Sequence, residues 1–258
     1  MTKFPNPNGG AEPQGNPGVS SLRLLQATIV ECRLCPRLVS HREQVAREKV
    51  RRYRNEEYWG RPIPPWGPRS ARLLIVGLAP AAHGGNRTGR IFTGDQSGDF
   101  LFRALHRAGF ANQAESRRRG DGLRLRDCYI TAVVRCAPPA NRPLPEELAT
   151  CREFLVQELQ LLPRVRVVIA LGRIAFDAFL RGWRQAGRPV PDARPQFGHG
   201  SVAELPGGIA LLGCYHPSQQ NTQTGRLTPG MFQRIFSLAR RHIEGEPDRN
   251  RPRRHPKQ

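Results

Sequence analysis

Four short apolar runs constrain this chain more than any other feature: RLLIVG at 72–77, CYITAVV at 128–134, VRVVIALG at 165–172 and IALLGCY at 209–215. Each is continuous rather than alternating, the pattern of a strand covered on both faces. Segments with apolar residues at helical spacing lie around them. Ser21 to about Glu31 and SHREQVAREK precede the first run, and SGDFLFRALHRAGF follows it with Phe100, Leu101, Ala104 and Leu105 on one face. LPEELATCREFLVQELQLL follows the second, with Pro145 suited to a first helical turn and Glu146 and Glu147 to its positive end. RIAFDAFLRGW follows the third, and TPGMFQRIFSLARRHIEG closes the pattern. Strand alternating with helix predicts a single α/β domain: a central, mostly parallel four-stranded sheet with helices on both faces.

Such sheets bind ligands at the carboxyl ends of their strands. Here those ends lead into GLAPAAHGG, RCAPPANRP, GRIAF and HPSQQNTQTGR, so polar residues and bare backbone gather at one edge. Neither the dinucleotide pattern G-x-G-x-x-G nor the phosphate-loop pattern G-x4-G-K-[ST] occurs in the first of these loops, which removes the usual support for a nucleotide cofactor.

Residues 1–19 and 245–258 are rich in Pro, Gly, Asn and Arg and poor in apolar anchors, so disordered tails are expected around a domain at 20–244. With 41 Lys+Arg against 21 Asp+Glu the formal net charge is +20, mostly from arginine. That balance predicts a polyanionic partner, and arginine's planar fork of donors matches phosphate. No apolar run approaches a membrane span, and the first residues lack the apolar core of a secretion signal, so a cytoplasmic protein is expected. Disulfides are rare in that compartment, which leaves the six cysteines as ligands or core.

Cys32 and Cys35 form C-x2-C, and Cys136 and Cys151 are separated by fourteen residues. Together they could make a four-thiolate site tying the N-terminal region to the sheet. Four thiolates suit tetrahedral zinc or an iron–sulfur cluster, and the spacing by itself favours zinc. Cys128 and Cys214 fall inside strands and are expected in the core.

Taken together, GLAPAAHGGNRTGRIFTGDQSG, the four spaced cysteines, RCAPPANRP and HPS at 216–218 resemble the uracil-DNA glycosylase superfamily, and within it family 5, the type-B iron–sulfur enzymes. The resemblance spans roughly residues 22–242. It implies a monofunctional DNA glycosylase of base excision repair that removes uracil and other deaminated bases, including hypoxanthine and xanthine, from single- or double-stranded DNA. It also implies a [4Fe-4S] cluster on Cys32, Cys35, Cys136 and Cys151 in place of zinc.

A base must leave the stack before its glycosidic bond is reached, so a pocket, an aromatic platform and a phosphate clamp are required. On the resemblance, Gly77, Leu78, Ala79, Pro80 and Ala81 let backbone approach the sugar and base, and Phe92 stacks on the base. His216 donates to the base oxygen, and Asp95 is the carboxylate near the sugar, with helix capping as its competing role. Arg87 and Arg90 would clamp the strand, and Pro217 and Ser218, followed by Gln219, Gln220 and Asn221, would press into the minor groove.

The chain departs from related branches at two places. Ala79 and Ala81 stand where a polar or acidic residue activates water, and Ala132 stands where an Asn reads uracil's edge. Looser base discrimination follows, with Asn141 either supplying an amide to the pocket or simply completing a turn. The Arg-rich segment 115–127 would broaden a phosphate track or form a surface loop. A monomer is expected. The alternative from another class is a non-catalytic, metal-stapled nucleic-acid-binding protein.

Overall fold

The computed structural model describes residues 17–191 and 193–245. The expected tails 1–19 and 245–258 lie mostly outside that range. Where they enter it, helix α1 (Pro17–Val30) begins before the expected domain start, and Gly245 caps the last helix in the left-handed conformation.

The four apolar runs form strands β1 (Leu73–Gly77), β2 (Cys128–Ala132), β3 (Val167–Leu171) and β5 (Ile209–Cys214). Each of these pairs with its neighbours in parallel, in the order β2-β1-β3-β5. The expected four-stranded sheet is corrected by a fifth described strand, β4 (Val202–Leu205), which runs antiparallel on the far edge of β5. Its four residues VAEL alternate in exposure, with Val202 and Glu204 facing solvent, so it lacks the continuous apolar signature of the others. Gly207 and Gly208, both at positive φ, close the hairpin to β5.

Alternate strand residues feed two cores. Leu74, Val76, Val168, Ala170 and Leu211 pack toward α1, α5 (Pro145–Leu161) and α6 (Arg173–Gln185). Leu73, Ile75, Val167, Ile169 and Leu212 pack toward α4 (Gln96–Arg107) and α8 (Pro229–Glu244). This is the period of two of a strand, applied with both faces covered. Cys128 and Cys214 are fully buried in the second core, as their place in the strands predicts. Three further helices, α2 (Pro36–Glu48), α3 (Gly85–Thr88) and α7 (Gln219–Gln223), surround the strand exits. Among the described residues, no helix is long and apolar enough to cross a membrane.

Below β2, Glu158 accepts from Arg135 at 2.6 Å and from the Thr131 hydroxyl at 2.7 Å, and Arg135 also donates to that hydroxyl. All three residues are buried, so this ion pair fixes the β2 exit to α5.

Candidate active site

The loop from Gly77 to Gln96 folds around Phe92. Phe92 is held at φ +52°, a conformation that costs a non-glycine residue about 1–3 kcal/mol and persists only where its surroundings demand it. The surroundings are two bare glycines. A methyl group on Gly77 would stand 2.8 Å from the Phe92 ring, and one on Gly98 would run into the Phe92 carbonyl. The ring is 6% exposed and lies 6.1 Å from the His216 ring, centroid to centroid. The structure therefore joins Gly77, Phe92 and His216, from the exits of β1 and β5, at the carboxyl edge of the sheet.

Asp95 caps α4, accepting from the Gly98 N–H at 2.8 Å. A side chain on Gly84 would run into the Asp95 carboxylate, so that group bridges the two halves of the loop. Burial raises its carboxyl above the ordinary value, and the Gly98 N–H partly offsets this. The cap and the proposed catalytic carboxylate are thus the same group, oriented by a helix start.

Arg87 and Arg90 do not form the expected strand clamp. Arg87 is buried, paired with Glu56, and donates to the carbonyls of His83 at 2.8 Å and Gly94 at 3.0 Å. Arg90 is buried too, with both terminal nitrogens on Asp121 and its Nε on Thr93. Loops poor in apolar side chains have little to pack with, and these guanidiniums hold the bare backbone in place from inside.

Burial lowers the His216 pKa to about 4, so the imidazole is neutral at pH 7 and carries one N–H. The His216 carbonyl accepts from the Asn221 side chain at 2.8 Å, and Ser218 caps α7. Pro217 is buried between them, and Gln219 and Gln220 are exposed. Beside His216 opens a cavity of about 260 Å³, walled by Gly172, Arg173, Tyr215, Asn221 and Arg226 among others. Among the described residues, no carboxylate lines it. Arg226 lies over the Tyr215 ring at 4.7 Å and Arg173 over Phe197 at 5.4 Å, which holds both cations at the rim.

The remaining positions divide. Pro80 is buried and Leu78, Ala79 and Ala81 are half-buried along the loop's first turn, where Gly77 and Leu78 carbonyls extend the β1–β2 ladder to Val133 and Val134. Ala132 pairs with Gly77 in register and is buried. Asn141 is exposed at φ +56° in the short turn Pro139–Asn141. Sequence reasoning passed over His83, on the same loop, hydrogen-bonded to the Tyr58 hydroxyl at 3.1 Å. Its signal was its place in AAHGG, a lone polar ring among small residues.

Cys32, Cys35, Cys136 and Cys151 line one cavity, although Cys32/Cys35 and Cys136/Cys151 lie some hundred residues apart along the chain. The rest of its wall is largely apolar, including Leu38, Val39 and Phe154. Among the described residues, no three His, Cys, Asp or Glu side chains form a group that could hold a metal ion. The donor set nonetheless fits an anionic sulfur group. Arg42 is 2% exposed and donates to Cys136 Sγ at 2.9 Å, while its nearest carboxylate, Glu43, is 3.9 Å away and bound to Arg33 at 2.5 Å. Among the described residues, its Nε has no hydrogen-bond partner. A buried guanidinium needs a negative partner, and the Cys136 sulfur stands nearer to it than the Glu43 carboxylate does.

The family model of the uracil DNA glycosylase superfamily matches residues 64–240, which contain every part of the Phe92–His216 site. The chain is 54% identical over 225 residues to a type-5 uracil-DNA glycosylase of Mycobacterium bovis, covering 87% of this chain and 82% of that protein. It is 54% identical over 216 residues to the type-5 protein of Thermus thermophilus, covering 83% and 94%. A type-4 uracil-DNA glycosylase of Pyrobaculum aerophilum is 33% identical over 157 residues, covering 60% and 71%. With the sheet, the Phe92 loop and the four cysteines in place, the chain belongs to the uracil DNA glycosylase superfamily, on its type-5 branch.

Proposed function

We propose that this protein is a monofunctional DNA glycosylase that hydrolyses the N-glycosidic bond of uracil, hypoxanthine and xanthine in DNA and leaves an abasic site. The observation that carries the reading is the convergence of Gly77, Phe92 and His216 on one point at the carboxyl edge of the sheet. The names of its type-5 relatives support the same chemistry.

In this reading the target nucleotide is rotated out of the stack and its base is received at Phe92. The C1′–N bond breaks with its electron pair leaving on the base, so charge grows positive on the sugar and negative on the base oxygen. Neutral His216 donates its N–H to that oxygen, where a donor is worth most in the transition state. Asp95, poised at the start of α4, stabilises the cation and takes the proton from water as its oxygen bonds to C1′. The cavity flanked by Arg173 and Arg226, which no carboxylate lines among the described residues, suits the phosphodiester next to the extruded nucleotide. Ala132 has no donor or acceptor to read a base edge, which fits a broad base range.

Cys32, Cys35, Cys136 and Cys151 would hold a [4Fe-4S] cluster in this reading. Its part is structural, joining α2 to the β2 exit and α5.

The test is a base-release assay on oligonucleotides containing uracil, hypoxanthine, xanthine or thymine, with iron content measured on the same anaerobic sample. Release of uracil and hypoxanthine is expected. A protein that binds these oligonucleotides and releases no base would overturn the reading in favour of a non-catalytic binding module.

A further inference from the structure

We infer that Arg117, Arg118 and Arg119 form a preorganised phosphate-contact ridge for the DNA strand beside the catalytic loop. The inference rests on the proposed DNA substrate and adds residues outside the site already described.

The three arginines are consecutive and exposed, and among the described residues none of them forms an ion pair. The loop beneath them is rigid. Asp121 accepts from the backbone N–H groups of Arg117 at 2.9 Å, Arg118 at 3.2 Å and Leu123 at 3.1 Å, and from both terminal nitrogens of buried Arg90. Burial alone would raise the Asp121 carboxyl, but these donors hold it well below its ordinary value. Asp121 therefore spends its charge inward, on Arg90 and the loop backbone, and leaves the outer guanidiniums uncompensated.

The ridge is also fixed to the site. Gly94, next to Asp95, donates to the Ser116 carbonyl at 2.9 Å, and the Thr93 and Ser116 hydroxyls meet at 2.7 Å. Arg119 lies 4.6 Å over the Trp59 ring, and Gly89 leaves room there: a methyl group on it would stand 2.9 Å from Trp59 and 3.0 Å from the Arg119 side chain. A run of exposed cations on a loop tied to the Asp95 segment, with no ion pair among the described residues, matches a phosphate backbone. It takes over the role that buried Arg87 and Arg90 do not fill.

The experiment is a salt series. Binding of a uracil-free duplex is followed by fluorescence anisotropy over a range of NaCl concentrations, for the full chain and for the double variant Arg117→Ala/Arg118→Ala, which spares the Arg119–Trp59 packing. Each lost phosphate contact should reduce the slope of log K against log salt by about 0.9, so the variant slope should be shallower by roughly 1–2. The Arg117→Lys/Arg118→Lys variant should recover the wild-type slope. A double alanine variant with the wild-type slope, or a lysine variant as shallow as alanine, would overturn the ridge. Uracil release by the wild-type chain is measured alongside. Its absence would count against the glycosylase reading, whereas its presence with an unchanged slope would count against the ridge alone.

Discussion

The catalytic loop and the cysteine cavity both leave the carboxyl ends of strands, and both contain buried arginines, yet those arginines are not all satisfied in the same way. In the loop, Arg87 has Glu56 and Arg90 has Asp121, so each buried cation meets a carboxylate. In the cavity, Arg135 has Glu158, but Arg42 donates to the Cys136 sulfur and the Cys32 carbonyl, with Glu43 only at 3.9 Å and, among the described residues, no partner for its Nε. The loop is complete as the chain folds it. The difference lies in what stands nearest a buried cation: a carboxylate for Arg87 and Arg90, a sulfur for Arg42.

The strongest way to break this comparison is to make the loop resemble the cavity. Asp121→Asn keeps the shape but leaves Arg90 buried without its anion, at a cost of about 3–5 kcal/mol. For a chain of this size that should lower the melting temperature by roughly 10 °C, measured by circular dichroism, and an unchanged melt would show that Arg90 finds another partner.

His216→Ala should reduce single-turnover uracil release by about 100- to 1000-fold, the usual loss on removing one such donor, with the melt retained. The pH dependence sharpens the same point. The folded His216 value, about 4, lies below its ordinary 6.5. The stability it contributes is full above pH 6.5 and is lost as pH falls toward 4. Thermal melts across that window should therefore slope downward in the wild type and less so in His216→Phe. Base release should stay level through pH 6.5, with its acid limb set instead by Asp95, above the ordinary carboxylate value because burial raises it.

Arg42→Met offers a reversal of sign. In metal-free protein it removes a buried cation facing neutral thiols and should raise the melting point, since replacing buried charge by apolar packing is often worth about 1–4 kcal/mol. In iron-loaded protein it removes the counter-charge and should lower both the melting point and iron retention on dialysis. The same sign in both forms would mean that Arg42 does not serve the sulfur site. Glu43→Gln should have the smallest effect, because that carboxylate is held at the surface by exposed Arg33.

Arg42 also links the two regions. Its carbonyl accepts from the Asn86 side chain at 3.1 Å, and Asn86 is buried within the catalytic loop. Nothing in NRTGRIF or SHREQ marks that contact, since it joins a side chain to a backbone carbonyl 44 residues away. Asp95 illustrates a different limit. A carboxylate at a helix start is recognisable as a cap, while its approach to Gly84 depends on how the loop doubles back. Arg87 and Arg90 read as surface charges because arginine usually is one. Only the partners Glu56 and Asp121, each 31 residues away, turn them inward.

The sequence by itself determined what local pattern can determine: four buried strands from continuous apolar runs, the helices between them, the edge where polar loops gather, and the candidate ligands Cys32, Cys35, Cys136 and Cys151. The tertiary structure alone decided the antiparallel β4, the burial of Arg87 and Arg90, the exposure of Asn141, and the seating of Phe92 between Gly77 and His216. The physical reason is range. Hydrophobic periodicity reports how a segment meets its nearest layer, whereas the partner of a charge or the neighbour of a ring is chosen by segments distant in the chain, at separations no local pattern encodes.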